Sequence, residues 1–111
     1  MNKISQVNIH QVKEWMDRNE ATVLDIRDPV SFSMGHIPTA RRLGENNLQA
    51  TLSSQDKNRT LVLCCYHGIS SQGAAGYFME QGFRDVHSMQ GGYEAWAGTY
   101  PAERSAADST D

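Results

Sequence analysis

The stretch Thr60-Leu61-Val62-Leu63-Cys64-Cys65-Tyr66-His67-Gly68-Ile69-Ser70-Ser71 limits what this chain can fold into more than any other. Thr60 to Cys64 is a short run rich in Leu and Val, the pattern of a strand buried on both faces of a parallel sheet. Ser70-Ser71 opens a run, Gln72 to Gln81, that reads as a helix. Between them Cys65 begins a tight loop whose flexible residue is Gly68. A cysteine so placed stands at the carboxyl end of a strand and faces the start of a helix, where open α/β sheets put their ligands. Backbone N–H groups of such a turn can converge into an anion-binding nest, and the helix N-terminus adds partial positive charge. Both favour thiolate over thiol, so Cys65 is expected to have a depressed pKa and to be nucleophilic. Free cysteines are more commonly buried structural thiols. Cys65 departs from that pattern because it lies in the loop, whereas Cys64, inside the strand, is expected in the core.

The rest of the chain alternates strands with helices. Ile4 to Val7 reads as a first strand. Asn8, with Gln11 three residues on, resembles a capping box, and Ile9, Val12, Trp15 and Met16 form an apolar stripe at helical spacing, read as core. Thr22 to Ile26 is a second strand, closed by Arg27. Asp28-Pro29 starts a short helix, with Asp as cap and Pro at the first helical position. Phe32 and Met34 anchor it and Gly35 ends it. A third strand is expected near Ala40 to Leu43, a short helix around Leu48 and Leu52, and a polar surface loop from Gln55 to Arg59. In the helix after the central loop, Gly73, Ala74, Ala75 and Gly76 are small enough to let it lie close to the sheet, and Gly82 is a C′ residue. Val86 to Met89 is the last strand. Gly91-Gly92 allows a sharp turn, and Tyr93 to Tyr100 is a final helix anchored by Trp96 and stopped by Pro101. Residues 1–101 are read as one domain and Ala102 to Asp111 as a disordered tail. Such alternation predicts an α/β fold, a parallel sheet with helices on both faces.

Cys65-Tyr66-His67-Gly68-Ile69-Ser70-Ser71 after a Leu/Val strand resembles the active loop of the rhodaneses, the thiosulfate sulfurtransferases. Leu24-Asp25-Ile26-Arg27-Asp28, Gly35-His36-Ile37-Pro38 and Gly91-Gly92-Tyr93-Glu94-Ala95-Trp96 also resemble rhodanese motifs, and all four occur in the family's order. The resemblance covers roughly residues 5 to 100 and is closest to small single-domain bacterial members. It implies a rhodanese-like fold with five strands in a mainly parallel sheet. The Cys65 loop, the segment after Arg27 and the Gly91-Gly92 turn would then meet at one edge of the sheet. It also implies a reaction. The Cys65 thiolate takes the outer sulfur of thiosulfate as a persulfide and passes it to cyanide, a small thiol or a thioredoxin-like dithiol.

On this reading Cys65 is the catalytic residue. Tyr66, His67, Gly68, Ile69, Ser70 and Ser71 form the substrate-binding loop, in which either serine caps the helix and His67 adds positive charge or is simply exposed. Asp25, Arg27 and Glu94 are supporting ion pairs. Some larger rhodaneses carry another arginine a few residues past this strand that contacts thiosulfate. Here Ser31 and its neighbours offer none.

Composition narrows the partners. The chain has 111 residues, 39% hydrophobic and 21% charged, with net charge −3, enough for one core without disulfides. That charge offers no basic field for nucleic acid or an anionic membrane. No apolar run reaches the roughly 18 residues of a membrane span, and the first residues lack the apolar region of a signal peptide. A bond between Cys64 and Cys65 would be strained, and two free thiols suit the cytoplasm. His10, His36 and His87 lack metal-ligand spacing, so neither metal nor cofactor is expected. Two other functions compete on the same fold. A cysteine-dependent phosphatase wants an arginine at the end of the loop to grip phosphate, where Ser71 stands. A non-catalytic interaction module usually lacks the cysteine.

Overall fold

The computed structural model describes residues 3–104. Its centre is strand β4, Thr60–Cys64, whose alternating side chains feed two separate cores. The elements run β1 (Ser5–Val7), α1 (Ile9–Asp17), β2 (Ala21–Asp25), α2 (Pro29–Met34), β3 (Arg41–Arg42), α3 (Leu48–Ser54), β4, α4 (Ser70–Glu80), β5 (Val86–Met89) and α5 (Gly92–Ala97). The five strands lie in the order β1-β5-β4-β2-β3, every neighbouring pair parallel. Val62 and Cys64 face one side, with Ile9 and Val12 of α1 and Trp96 of α5. Leu61 and Leu63 face the other, with Ala75 and Phe78 of α4, and Leu48 and Leu52 of α3 pack there too. This is the two-faced burial that a continuous apolar strand requires.

Local chemistry sets the helix starts. The Asn8 side chain accepts the Gln11 N–H at 2.9 Å, and Asp28 accepts the Ser31 N–H at 3.1 Å ahead of Pro29. Three expectations need correcting. Neither Ser70 nor Ser71 caps α4: both lie inside its first turn, with Ile69 at the cap position and no side-chain cap bond. The stripe of small residues on α4 does not work as a unit. Ala75 is buried, Gly76 faces only the tip of Ile4, and Gly73 looks into open space. The segment from Ala102 also begins in an ordered contact, since the backbones of His36 and Glu103 exchange hydrogen bonds of 2.9 and 2.8 Å. The remainder of the expected tail, residues 105–111, lies outside the described residues.

Parallel register decides which groups share the carboxyl end of the sheet. Cys64 is level with Asp25, and Leu63 is level with both Leu24 and Ser88. Side chains alternate along a strand, so Cys64 points towards α1 and α5. Carrying the alternation one residue further turns Cys65 to the opposite face, towards the start of α4.

Candidate active site

The loop from Cys65 to Ile69 is built with its N–H groups turned inwards. The Cys65 sulfur accepts the backbone N–H of Gly68 at 3.2 Å and that of Ser71 at 3.2 Å, and lies 3.2 Å from the Ser71 hydroxyl. Because Ser71 belongs to the first turn of α4, the sulfur takes the place of the missing cap. It satisfies a helix N–H that would otherwise be unpaired, at the positive end of the helix dipole.

N–H groups can point in only if carbonyls point out, and the carbonyls of Cys65, Tyr66 and Gly68 each have a donor of their own. The N–H groups of Tyr93 and Glu94, in the first turn of α5, donate to Cys65 O at 2.7 Å and Tyr66 O at 3.1 Å. The side chain of Gln72 donates to Gly68 O at 2.9 Å. Gly68 adopts φ +88, and a Cβ there would stand 2.8 Å from the Gly91 nitrogen. Gly92 adopts φ +61, and a side chain on it would run into the Tyr66 carbonyl. Both positions therefore require glycine for conformation and for space. The Gly91-Gly92 turn does more than reverse the chain: it brings the free N–H groups of α5 against the loop.

Burial works against a charge on Cys65, which is 3% exposed. The Ser71 hydroxyl and the N–H groups of Ser71, Gly68 and His67 together outweigh it and hold the thiol below its ordinary pKa. Cys64 has the reverse environment. Burial, reinforced by the Asp25 carboxylate, pushes its thiol far above the ordinary value, as expected of a side chain in the core.

Asp25 and Arg27 close on each other beneath the loop. Arg27 Nη2 and Nε donate to the two Asp25 oxygens at 2.8 and 3.0 Å, and Nη2 also reaches Gly35 O at 2.8 Å. Both residues are buried. The guanidinium lies 4.0 Å from the ring centre of Tyr93 on α5 and 5.7 Å from that of Tyr66 in the loop. The pair thus joins the end of β2 to both.

A family model for the rhodanese-like domain matches residues 8–99, most of the chain. The chain belongs to the rhodanese-like family. Among curated relatives it is 42% identical over 107 residues to the thiosulfate sulfurtransferase GlpE of Pseudomonas aeruginosa, covering 96% of this chain and 94% of that protein. It is 43% identical over 94 residues to the protein of the same name in Pseudoalteromonas translucida, covering 85% and 90%. Among solved structures, a rhodanese-like domain protein from Staphylococcus aureus superposes with TM-score 0.79 at 23% identity, covering 93% of this chain and all of that one. A rhodanese-related protein from Thermoplasma volcanium superposes with TM-score 0.76 at 22% identity, covering 89% and 97%.

Within this rhodanese domain the residues expected at the site fall into three groups. Gly68 and Ser71 touch the sulfur directly. Tyr66 and His67 point outwards and are held by partners on other elements. The Tyr66 hydroxyl donates to Asp28 and lies 2.9 Å from that of Ser31, and His67 Nδ1 pairs with Glu94 at 2.9 Å in an exposed contact. Ile69 is 74% exposed. Among the described residues no hydrogen bond joins Ile69 or Ser70 to the sulfur.

Sequence reasoning missed Gln72, Asp28 and Ser31 as parts of the site, and Ser88 altogether. The four-residue spacing of Gln72 from Gly68 was one available signal. A lone serine in the apolar run Val86–Met89 was another. Among the described residues no three of His, Cys, Asp and Glu lie together as a metal site.

Proposed function

We propose that this rhodanese is a thiosulfate sulfurtransferase that works through a persulfide on Cys65. The observation that carries the reading is the sulfur itself. It is a cysteine Sγ at the end of a parallel strand, gripped by two backbone N–H groups and a hydroxyl, all at 3.2 Å. The relatives' printed activity at 42–43% identity supports it.

The Cys65 thiolate attacks the outer sulfur of thiosulfate. A new S–S bond forms, the old one breaks, and its electron pair leaves with sulfite, a stable anion that needs no proton. The negative charge moves to the outer sulfur of Cys65–S–S⁻. Fixed N–H dipoles, already oriented by α5 and Gln72, can hold that charge without reorganising. An acceptor nucleophile then attacks the outer sulfur and the pair returns to Cys65. Cyanide would leave as thiocyanate, and a thiolate as its own persulfide. A dithiol, thioredoxin-like partner could expel hydrosulfide with its second thiol.

Recognition of thiosulfate falls to the N–H cradle, because Arg27 is closed on Asp25 and His67 on Glu94. Among the described residues no helix is long and apolar enough to cross a membrane, and both cysteines are free, which supports a place in the reducing cytoplasm. Mass spectrometry after thiosulfate treatment tests the reading. One added sulfur on the Cys65 peptide, with sulfite released, is expected. Turnover of aryl phosphates without sulfite release would replace it with a phosphatase.

A further inference from the structure

Behind the loop, Ser71 has a second partner. Its hydroxyl oxygen lies 2.7 Å from that of Ser88 on β5, and both serines are wholly buried. Ser88 is level with Leu63 across the sheet and faces α4. Among the described residues no hydrogen bond joins it to the Cys65 sulfur, so it acts on that sulfur only through Ser71. We propose that Ser88 is a positioning residue for sulfur transfer: its hydroxyl donates to Ser71 and so directs the Ser71 proton at the Cys65 sulfur.

Counting protons supports this direction. Cys65, Ser71 and Ser88 form a row with two gaps, sulfur to Ser71 and Ser71 to Ser88. If Cys65 is a thiolate, the row has two protons for two gaps. Ser88 gives to Ser71, Ser71 gives to sulfur, and every hydroxyl has an acceptor. If Cys65 is a thiol there are three protons for two gaps, and one O–H or S–H must find an acceptor outside the row. Only the ionised form satisfies every proton within the row itself. A donor into the Ser71 oxygen also strengthens the bond that Ser71 makes.

The proposal rests on the persulfide reading for its role in turnover. When the acceptor attacks the outer sulfur, the electron pair of the broken S–S bond returns to Cys65, and the Ser71 proton waits there to receive it. A better-held thiolate is a better leaving group. Other groups near the site are already paired or face elsewhere. Cys64 on β4 points to the opposite face, Asp25 and Arg27 of the β2 end bind each other, and His67 of the loop binds Glu94 of α5. His87 of β5 binds Asp85 at the far side, and the first two turns of α4 carry no charged side chain.

The test is the rate of iodoacetamide alkylation of Cys65 against pH in the full chain, a readout that does not require thiosulfate. Ser71→Ala should move the profile upwards by about one pH unit and Ser88→Ala by about half a unit, roughly a threefold slowing below the midpoint. Ser88→Ala should add nothing in a Ser71→Ala background. Ser88→Thr, which keeps the hydroxyl, should restore the wild-type profile. Should Ser88→Ala fail to fold, Ser88→Cys, a weaker donor of similar size, should still show an upward shift. An unchanged profile in a folded Ser88 variant lacking the hydroxyl, or equal shifts with and without Ser71, overturns the proposal. A shifted profile in a protein that takes no sulfur from thiosulfate would leave the relay standing and remove the sulfurtransferase reading instead.

Discussion

Cys64 and Cys65 are neighbours in the chain and opposites in chemistry. Cys64 projects into the apolar layer between the sheet and helices α1 and α5. Cys65 projects to the other side, into a cup of N–H groups at the start of α4. Both have almost no exposed surface, but Cys64 lies deeper in the packed interior than Cys65. What separates them besides depth is the count of donors aimed at each sulfur. Among the described residues no N–H bonds to the Cys64 sulfur, and burial, with the Asp25 carboxylate, pushes its thiol up. With several such donors, the Cys65 thiol falls despite burial. A cysteine's reactivity is therefore a property of the surrounding backbone, which the strand's two-residue period delivers to one sulfur and withholds from the next.

Exchanging each sulfur for oxygen gives the sharpest contrast. Cys65→Ser should lower sulfur transfer by at least about a thousandfold, as loss of a covalent nucleophile does, while the circular dichroism spectrum stays native. Cys64→Ser should keep persulfide formation and lose about 1–3 kcal/mol of stability in urea, because it buries a hydroxyl in an apolar layer. Equal loss of activity in the two variants would erase the distinction.

The next largest effect should come from the brace behind the loop. Gly92→Ala places a methyl group against the Tyr66 carbonyl at a left-handed backbone position. The α5 N–H groups must then withdraw from Cys65 O and Tyr66 O, and the loop N–H groups lose their aim. We expect kcat/KM to fall by roughly 10- to 100-fold, with about 1–3 kcal/mol of destabilisation from the strained backbone. Full activity in a folded Gly92→Ala protein would show that the cradle does not depend on α5.

The two thiols should also part in their dependence on pH. The folded pKa of Cys65 is lowered. Alkylation should therefore rise through a midpoint below that of an ordinary thiol and level off above it. The stability this group contributes is present above the unfolded pKa and lost as pH falls through the folded one. Cys64 has the opposite sign. Its folded pKa is raised, so its contribution holds below the ordinary thiol value and is lost as pH rises beyond it. Urea titrations of Cys64→Ala and Cys65→Ala across neutral to alkaline pH would separate these slopes, and parallel curves would contradict the contrast.

The smallest effect should belong to His67 and Glu94. Their side chains are 64% and 76% exposed, and exposed pairs contribute about 0–1 kcal/mol. His67→Ala should change kcat/KM for thiosulfate by less than about threefold. A loss of tenfold or more would mean that the imidazole contacts the substrate, and that N–H groups alone do not hold it.

Several features of this protein were legible locally. Asn8, Asp28-Pro29 and Gly82 mark helix ends because a cap or a left-handed turn involves only a few adjacent residues. The apolar run Leu61 to Leu63 announced a strand buried on both faces, and its end placed Cys65 at a loop. The four motifs in order pointed to the rhodanese family, which the match over residues 8–99 bears out.

The serines were legible only in part. As polar residues opening a helix they suggested caps, yet the sulfur of Cys65, six residues before Ser71, had already taken that position. The two motifs holding Asp25 and Arg27 and holding Glu94 suggested ion pairs, but not that Arg27 would lie between Tyr66 and Tyr93 or that Glu94 would meet His67.

What the sequence by itself determined was the set of short-range pieces: a buried strand, a cysteine at its end, a helix start facing it, and glycines where the backbone must turn. The tertiary structure decided which distant groups complete them. Tyr93 and Glu94 reach the loop because β5 lies beside β4 and delivers α5 to the carboxyl end of the sheet. Ser88 meets Ser71 because the parallel register sets it level with Leu63, beneath the first turn of α4. Period and capping act over a few residues and can be read along the chain, whereas register and strand order arise from burying both faces of the sheet at once, a condition that no single stretch contains.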